Sequence, residues 1–327
     1  MENLTFNTER RKISMVLLAV CIGFPAFGAG TRDGSLKWRQ DGAEAVVTGI
    51  TGKAMEVTIP GTLDGLPVTA IGDNAFKGLN LTGIVIAESV TEIGDSAFRG
   101  NFLTAVNLPA GLTRLGAGSF YGSRLARVII PEGVTVIEGF TFQNNRLYEA
   151  ELPDTITAIG EYAFSGNELT GTPQLPHALR TIGAAAFSKN LLSGTIEIPP
   201  AVTEIGAMAF SGNRLNGIIL PGGITAISAM AFSDNRLTGV TIPSSVTVIE
   251  ENAFSFNEIS AVVIPDGVRE IKKDAFGDNP LTGITIGSDV ALHKTSFPNS
   301  FADFYNHEKV GKKAGTYVFD NFVWTIR

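Results

Sequence analysis

A phenylalanine recurs at a nearly fixed interval through most of this 327-residue chain. Successive members are 21 to 23 residues apart, and the same residue types surround each of them. The eleven members are Phe76, Phe98, Phe120, Phe142, Phe164, Phe187, Phe210, Phe232, Phe254, Phe276 and Phe297. The shared unit is L-x-x-V-x-I-P-x-x-V-x-x-I-G-x-x-A-F-x-x-N-x. This self-similarity predicts an array of stacked, equivalent coils and overrides the two-domain expectation that length alone would give.

The first part of the unit predicts a short strand with one buried face. In residues 237–242, Val240 and Ile242 point to one side and Thr241 to the other. Pro243 then ends the strand, because proline has no N–H to donate to a ladder. Stacked at about 4.8 Å, eleven such strands would form a parallel sheet ~50 Å long.

The second part of the unit predicts the return path. Val246, Ile249 and Phe254 supply its apolar inner side, along a short helical turn or an irregular arc. The glycine that often follows the Ile, as at Gly160 and Gly206, would let the backbone bend at low steric cost. Period and pattern together predict an α/β leucine-rich-repeat solenoid. It is a right-handed coil of about eleven 22–23-residue repeats, with a parallel concave β-sheet and a short helical or irregular convex side.

An asparagine follows the repeat Phe by three residues in eight of the coils. These residues are Asn101, Asn145, Asn167, Asn190, Asn213, Asn235, Asn257 and Asn279. A polar stripe that binds a ligand is one interpretation. The interpretation we favour is structural: an Asn at a fixed turn can bond unpaired backbone groups of its own coil and of the next one. Leu79 and Ser123 interrupt the row.

Residues 1–28 are typical of a secretory signal peptide. Three bases, residues 10–12, precede an apolar run from residue 13 to residue 27, which is short for a membrane-spanning helix. Cys21 is the only cysteine, so the chain after the leader has no disulfide. Residues 18–21 loosely resemble a lipobox, which leaves a lipid anchor at Cys21 as the alternative to an ordinary cleaved signal; Val20 counts against it.

The regions flanking the array predict two caps, because an uncovered terminal coil would expose core and sheet edge. Residues 29–56 form the predicted N-terminal cap, with a strand pair at residues 45–47 and 55–57. Residues 57–299 form the repeats. Residues 300–327 form the predicted C-terminal cap, a hairpin whose turn we place at residues 320–321.

Several function classes find no support in the sequence. The net charge of −7 argues against nucleic acid as a partner, since phosphate binding needs clustered Lys and Arg. His177, His293 and His307 lie far apart without a second ligand at metal spacing. Residues 116–122 hint at a phosphate loop, but their Gly and Phe are those of the repeat. We therefore expect a non-enzymatic protein without cofactor or metal.

The outward strand positions are the candidate protein-binding site. The row on the predicted concave face, together with Glu149 beside it, contains Val85, Asn107, Ile129, Glu149, Glu151, Gln174, Glu197, Ile219, Thr241, Val263 and Thr285. Apolar ends around a polar, acidic middle suit protein recognition. The alternative is that β-branched residues stand there only because they are good strand formers.

A second candidate lies four residues after the repeat Phe, where arginines follow one another. They are Arg124 and Arg146 in one pair of coils and Arg214 and Arg236 in another. Glu168 and Glu258 stand in the adjacent coils, so we expect a solvated, salt-bridged edge. A site for anionic polysaccharide is the alternative interpretation.

The motif I-P-x-x-V-x-x-I-G-x-x-A-F-x-x-N resembles the BspA-like class of bacterial leucine-rich repeats. The lead-in at residues 59–68 and the tail at residues 304–317 are similar to sequences that open and close such arrays. The resemblance covers roughly residues 45–320. It implies an exported or surface-displayed bacterial protein that engages other proteins, and some members of the class are adhesins for host matrix proteins.

Two functions of different classes remain open at this point. One is an exported protein-binding module, adhesin-like, whose unidentified partner is a host matrix or envelope protein. The other is a structural envelope or spacer protein without a dedicated ligand.

Overall fold

The computed structural model describes residues 35–307 and 310–327. The predicted signal peptide, including Cys21, lies outside the described residues. Eleven coils, which we number 1 to 11 by their phenylalanines from Phe76 to Phe297, stack into a β-solenoid. Successive coils contact each other through three sides. The predicted leucine-rich-repeat solenoid is thereby confirmed.

The first side, ladder A, is the predicted strand that precedes the Pro. Its strands are β3 (Glu56–Ile59), β6 (Gly83–Ile86), β9 (Arg127–Ile129), β11 (Glu149–Glu151), β13 (Thr170–Gly171), β15 (Leu191–Glu197), β17 (Arg214–Ile219), β20 (Ala261–Val263) and β22 (Gly283–Ile286). The paired strands are parallel, as in β11 against β9, and β15 against β17 has a register shift between Gly194 and Thr195. Ladder A is interrupted: coil 3 contributes no strand, and coil 9 contributes only a bridge from Thr241 to Val263.

The second side, ladder B, was not predicted. Apart from the six-residue β5, it consists of two-residue strands that end at the Ile or Leu before the position of the repeat Gly. They are β5 (Leu66–Ile71), β7 (Glu92–Ile93), β8 (Arg114–Leu115), β10 (Val136–Ile137), β12 (Ala158–Ile159), β14 (Thr181–Ile182), β16 (Glu204–Ile205), β18 (Ala226–Ile227), β19 (Val248–Ile249), β21 (Glu270–Ile271) and β23 (Ala291–Leu292). Each paired strand is parallel to its neighbour and places the Ile or Leu of adjacent coils side by side.

The third side is a hydrogen-bonded arc around the repeat Phe. The residues two before and two after the Phe have left-handed φ values of 51–69° in coils 1 to 10. Their amides and that of the Phe donate to the next coil, as in Asn74 to Asp95 (2.9 Å), Phe76 to Ala97 (2.7 Å) and Gly78 to Arg99 (2.8 Å). Among the described residues, no coil contains a helix, so the return path is an arc and not a helical turn.

The glycine after the Ile does not serve as a flexible bend, and that expectation is wrong. Neither Gly160 nor Gly206 has a left-handed φ. A Cβ on Gly206 would instead lie 2.4 Å from the backbone N of Ala184 in the preceding coil, closer than real contacts allow. The glycine therefore permits close stacking of neighbouring coils. The strand pairing of ladder B is interrupted between coils 3 and 4 and between coils 7 and 8. Coils 3 and 7 have this glycine, whereas coils 4 and 8 have Glu138 and Ser228 in its place.

The phenylalanines form one continuous stack along the solenoid. Neighbouring rings are 5.0–5.8 Å apart and tilted by 2–18°. All eleven side chains are buried, together with the inward residues of ladders A and B. Since each ring contacts the coil before and the coil after it, the core is shared by all coils and belongs to none of them singly.

The asparagines form the predicted backbone ladder, with one change. Asn213 Oδ1 accepts from the Leu192 amide (3.1 Å), and its Nδ2 donates to the carbonyls of Phe187 (2.9 Å) and Phe210 (3.0 Å). The same three bonds recur at all eight asparagines. They reach the asparagine's own coil and the preceding one, not the next. Ser123, which takes the place of Asn in coil 3, is too short for this role, and its buried Oγ has no hydrogen-bond partner.

At the N-terminal end, β1 (Leu36–Asp41) and β2 (Glu44–Ile50) form an antiparallel hairpin. β2 then pairs in parallel with β5 and so covers the first strand of ladder B. The strand pair expected at residues 45–47 and 55–57 is wrong, because β2 pairs with β1 and β3 pairs with β6. Coil 1 also carries an insertion at residues 61–67, in which β4 (Thr62–Leu63) forms a small hairpin with the start of β5.

At the C-terminal end, helix α1 (Phe301–Asn306) is followed by β24 (Gly315–Asp320) and β25 (Val323–Ile326). β24 pairs antiparallel with β22 and closes ladder A, and β25 completes the hairpin. Its turn residues are Asn321 and Phe322, one position later than expected, and both have left-handed φ. The ring of Phe301 meets Phe297 edge-on (5.2 Å, 84°), which ends the aromatic stack.

Candidate functional site

The outward side chains of ladder A form a surface that we call the outward face. Inward neighbours such as Ile218 and Val262 are buried, whereas the alternate residues point to solvent. Of the eleven candidate binding residues, ten are exposed. Thr285 is half-buried because Thr316 of β24 lies over it, with 3.0 Å between the two Oγ1 atoms. The cap therefore limits this face at its C-terminal end.

The candidate residues differ in how firmly the ladder holds them. Glu149, Glu151 and Ile129 lie in paired strands. Asn107 and Gln174 lie in segments without strand pairing. The outward face is thus regular in some coils and interrupted in others.

Four large apolar side chains stand on the outward face. Val85 and Ile129 are each 46% exposed, Ile219 is 53% exposed and Val263 is 62% exposed. Burying a side chain of this kind is worth about 1.5–3 kcal/mol, so this surface has free energy to gain from a partner. Each stands in a different coil, and polar or charged residues separate them.

The acidic middle of the face contains a cation that the sequence analysis missed. The guanidinium of Arg127 lies between Glu149 and Glu151 and donates a hydrogen bond from its Nη2 to Glu151. Its Nε is 2.9 Å from Glu149 Oε2, an ion pair without hydrogen-bond alignment. Burial alone would lower the pKa of Arg127, but the hydrogen bond to Glu151 and the two carboxylate charges outweigh it and raise that pKa. Among the described residues, Glu197 has no such cation.

A shallow groove of about 590 Å³ runs along the C-terminal half of the outward face. Its floor is made of small residues, Gly217, Gly239, Ala261 and Gly283, which stand two positions before the candidate row. Threonines and the exposed Val263 line its sides, and Thr316 of β24 lines its C-terminal end. No charged side chain lines it. The groove suits a narrow, uncharged segment of a partner.

Gly239 is the informative residue of that floor. A Cβ added to Gly217 would lie 2.5 Å from Thr195 Oγ1, so packing accounts for that glycine. A Cβ added to Gly239 would have no atom within 4 Å, and the φ of Gly239 is not left-handed. Neither packing nor backbone conformation thus requires glycine in coil 9.

The arginine edge differs from expectation. In the described part of the chain, Glu168 forms no ion pair with Arg146, and Glu258 forms none with Arg236, so the predicted salt-bridged edge is wrong. The guanidinium of Arg124 instead stacks on the ring of Phe102, 4.2 Å from its centroid.

Two further features concern residues 35–307 and 310–327. No group of three or more His, Cys, Asp or Glu side chains in these ranges is arranged to hold a metal ion. The imidazole of His293 contacts Thr295 Oγ1 at 3.0 Å. In the same ranges, no helix has the length and hydropathy to cross a membrane.

The sequence matches the family model described as BspA type leucine rich repeat region (6 copies) over residues 69–193 and 180–302. No curated protein matches the chain.

Several solved structures resemble the protein. The pneumococcal vaccine antigen PcpA is 16% identical with a TM-score of 0.50, over 82% of this chain and 90% of that one. A leucine-rich repeat protein from Bacteroides ovatus is 22% identical with a TM-score of 0.45, over 82% and 67%. A leucine rich cell surface protein from Faecalibacterium prausnitzii is 23% identical with a TM-score of 0.40, over 79% and 94%. At these identities the PcpA likeness is one of fold.

Proposed function

Because the chain belongs to the BspA type leucine-rich-repeat family, we propose that it is an exported, non-enzymatic module that binds another protein through the outward face. Leucine-rich repeats of this type are typical protein-interaction modules. The predicted signal peptide at residues 1–28 supports export, and an adhesin-like role toward a host matrix or envelope protein follows from the class. The lipid anchor at Cys21 would be one means of retention at the surface.

The observation that carries the proposal is the composition of the outward face. Exposed Ile129 is close to the ion pairs of Arg127 with Glu149 and Glu151, and exposed Val263 lines the groove. Apolar anchors beside charged groups are what a protein interface needs for affinity and orientation, respectively. Gly239 supports the proposal, because no atom of the fold fills the space that a Cβ would occupy at this position.

The test is capture of host matrix proteins and bacterial envelope proteins on the immobilised chain. The variant Glu149→Lys/Glu151→Lys/Glu197→Lys reverses the acidic middle of the face. We expect saturable binding by the wild type and an affinity at least tenfold lower for the variant, since opposed like charges cost several kcal/mol at an interface.

A matched control reverses the same number of acids on ladder B, at Glu92, Glu204 and Glu270, all of which are exposed. Its affinity should equal that of the wild type. If the outward-face variant binds as tightly as this control, the acidic site is wrong. If the wild type captures no protein, the spacer function is the better account.

The variant Gly239→Val tests whether the groove is part of the binding site. Valine favours strands and meets no atom at this position, so the fold should be retained while the floor is raised. We expect weaker capture; unchanged affinity would remove the groove from the site.

A binding site for anionic polysaccharide is the second candidate, and the arginine edge favours it. Arg146, Arg214 and Arg236 are exposed and, in the described part of the chain, have no carboxylate partner. Binding to immobilised heparin should then fall with salt and be lost in Arg214→Ser/Arg236→Ser. Retention by that variant would exclude the edge.

A further inference from the structure

The third side of the solenoid carries a row of residues that the outward face does not use. These residues stand two before the repeat Phe, with φ of 51–61° in coils 1 to 10. Glycine and asparagine tolerate this conformation, whereas bulky side chains are strained in it. Near both ends the row follows that preference, with Asn74, Ser96, Gly118, Asn252 and Asp274.

Coils 4 to 8 do not follow it. Their residues are Phe140, Tyr162, Ala185, Met208 and Met230, which we call the apolar stripe. Local backbone preference therefore does not account for the stripe. Strain maintained over consecutive coils at a surface indicates that the side chains are needed for contact.

The apolar stripe has a definite shape. Phe140 and Tyr162 stack on each other (5.3 Å, 10°) and are half-buried. Ala185 in the centre is buried, and Met208 and the exposed Met230 follow on the other side. The stripe is therefore aromatic in coils 4 and 5, flat in coil 6 and thioether in coils 7 and 8. Methionine packs well against aromatic rings.

Charges of opposite sign stand on either side of the stripe, in the neighbouring row three before the Phe. Coils 1 and 2 contribute Asp73 and Asp95, and coils 10 and 11 contribute Lys273 and Lys294. Coils 2 and 10 are equally distant from coil 6, and so are coils 1 and 11. The apolar stripe and these four terminal charges are thus arranged symmetrically about coil 6, whereas Glu161 and Glu251 of the same row stand at positions equivalent to Ala207 and Ala117.

We propose that the apolar stripe is the contact surface of an antiparallel homodimer whose two-fold axis crosses coil 6. Each residue then meets its complement in the partner, as an isologous interface requires. The facing pairs are Tyr162 with Met208, Phe140 with Met230, Asp95 with Lys273 and Asp73 with Lys294, and the half-buried Ala184 of coil 6 lies on the axis. This dimer goes beyond the proposed function, and it leaves both outward faces free for partners.

Other alignments of the same surface are less favourable. A parallel dimer would place Asp95 on Asp95 and Lys273 on Lys273. A shift of the axis to coil 7 would place Glu161 of one chain on Glu251 of the other. Only the alignment on coil 6 joins aromatic to methionine and acid to base.

A stable dimer sets a minimum size for this surface. A standard interface covers about 800 Å² per partner. Along eleven coils, ~50 Å, this requires a strip ~16 Å wide, or about five extended residues of each coil. The charged ends contribute orientation more than affinity, because Asp95 already contacts Arg114 (3.0 Å) and Lys273 already contacts Glu251 (3.6 Å).

The first test is the oligomeric state of the full 34.6 kDa chain, by sedimentation equilibrium. We expect a dimer at micromolar concentration. The variant Phe140→Asn/Tyr162→Asn/Met208→Asn/Met230→Asn introduces the residue that coils 1 and 9 use in this row, so the melting temperature should be retained. Dimerisation should weaken at least a hundredfold. A wild-type monomer up to 100 µM, or a variant that dimerises equally, would overturn the proposal.

The second test fixes the geometry by oxidation of single cysteines in a Cys21→Ser background. Ala184→Cys in coil 6 lies on the axis, is half-buried and should form a disulfide-linked dimer, since its Cβ meets the same Cβ of the partner. Ser96→Cys and Asn252→Cys are also half-buried on the third side and face other coils. They should not crosslink. Equal crosslinking of all three, or none at residue 184, would contradict the antiparallel alignment.

Discussion

The interior columns of the solenoid and its outward face differ in what fixes their residues. In the Phe column, every coil presents the same ring to the same neighbours at 5.0–5.8 Å. On the outward face, successive coils present Ile129, Glu151, Gln174 and Glu197 at equivalent positions. A column residue must fit the coil before and the coil after it, whereas an outward residue meets no such requirement. The residues that repeat from coil to coil are those that the fold requires, and the residues that vary are the candidates for recognition of a partner.

The largest effect should follow from breaking the Phe column. Phe210 is buried and stacks on Phe187 (5.4 Å) and Phe232 (5.8 Å). Phe210→Ala would leave a cavity between three coils and should lower the free energy of unfolding by about 3–5 kcal/mol. Urea unfolding measures this loss. A loss below about 1 kcal/mol would mean that the coils do not share their core.

Removal of one asparagine from the Asn column should lower the free energy of unfolding by less than removal of a phenylalanine. Asn213→Ala leaves the buried amide of Leu192 without an acceptor and removes one of the two asparagine donors from each of the carbonyls of Phe187 and Phe210. We expect a loss of about 2–3 kcal/mol and a lower melting temperature, with binding by the outward face retained. A mutant with unchanged melting temperature and lost binding would show that the column is the binding site.

Repairing the column where it is interrupted should stabilise the protein. Ser123 occupies the Asn position of coil 3, and its Oγ has no hydrogen-bond partner. Ser123→Asn would supply the bonds that the other coils have, so we expect a gain of about 1 kcal/mol. Calorimetry against Ser123→Ala separates the bonds gained from the removal of a buried hydroxyl. A loss of stability would indicate that coil 3 is shaped for serine.

Changing the outward face should have the smallest effect on stability. Reversal of Glu149, Glu151 and Glu197 breaks only exposed ion pairs to Arg127. The loss should stay below about 1 kcal/mol in thermal unfolding. A loss as large as that of Asn213→Ala would mean that the acidic middle holds the coils together.

The repeating part of the fold could be predicted from the sequence. The 21–23-residue period defines the coils, and the alternation before Pro243 defines ladder A and its outward row. Ladder B could not be found in this way, because a strand as short as Val248–Ile249 has no alternation to detect. The role of the repeat glycine was misjudged because sequence does not distinguish a left-handed residue from a close contact.

The candidate site was predictable in part. Arg127 lies two residues before Ile129, so the alternation already placed it on the outward face, and the glycines of the groove floor had the same signal. The apolar stripe needs the observed φ values, since Met208 and Met230 are unusual only in a left-handed conformation. The missing ion pairs of Arg146 and Arg236 depend on side-chain geometry, which residue spacing does not determine.

The most direct test measures two properties of the same two variants side by side. Asn213→Ala should lower the melting temperature and keep the affinity for a captured protein. The outward-face charge reversal should keep the melting temperature within a few degrees and lower the affinity at least tenfold. If instead the Asn variant loses binding at full stability, or the reversal unfolds the protein, the assignment of fold to the columns and recognition to the outward face is contradicted.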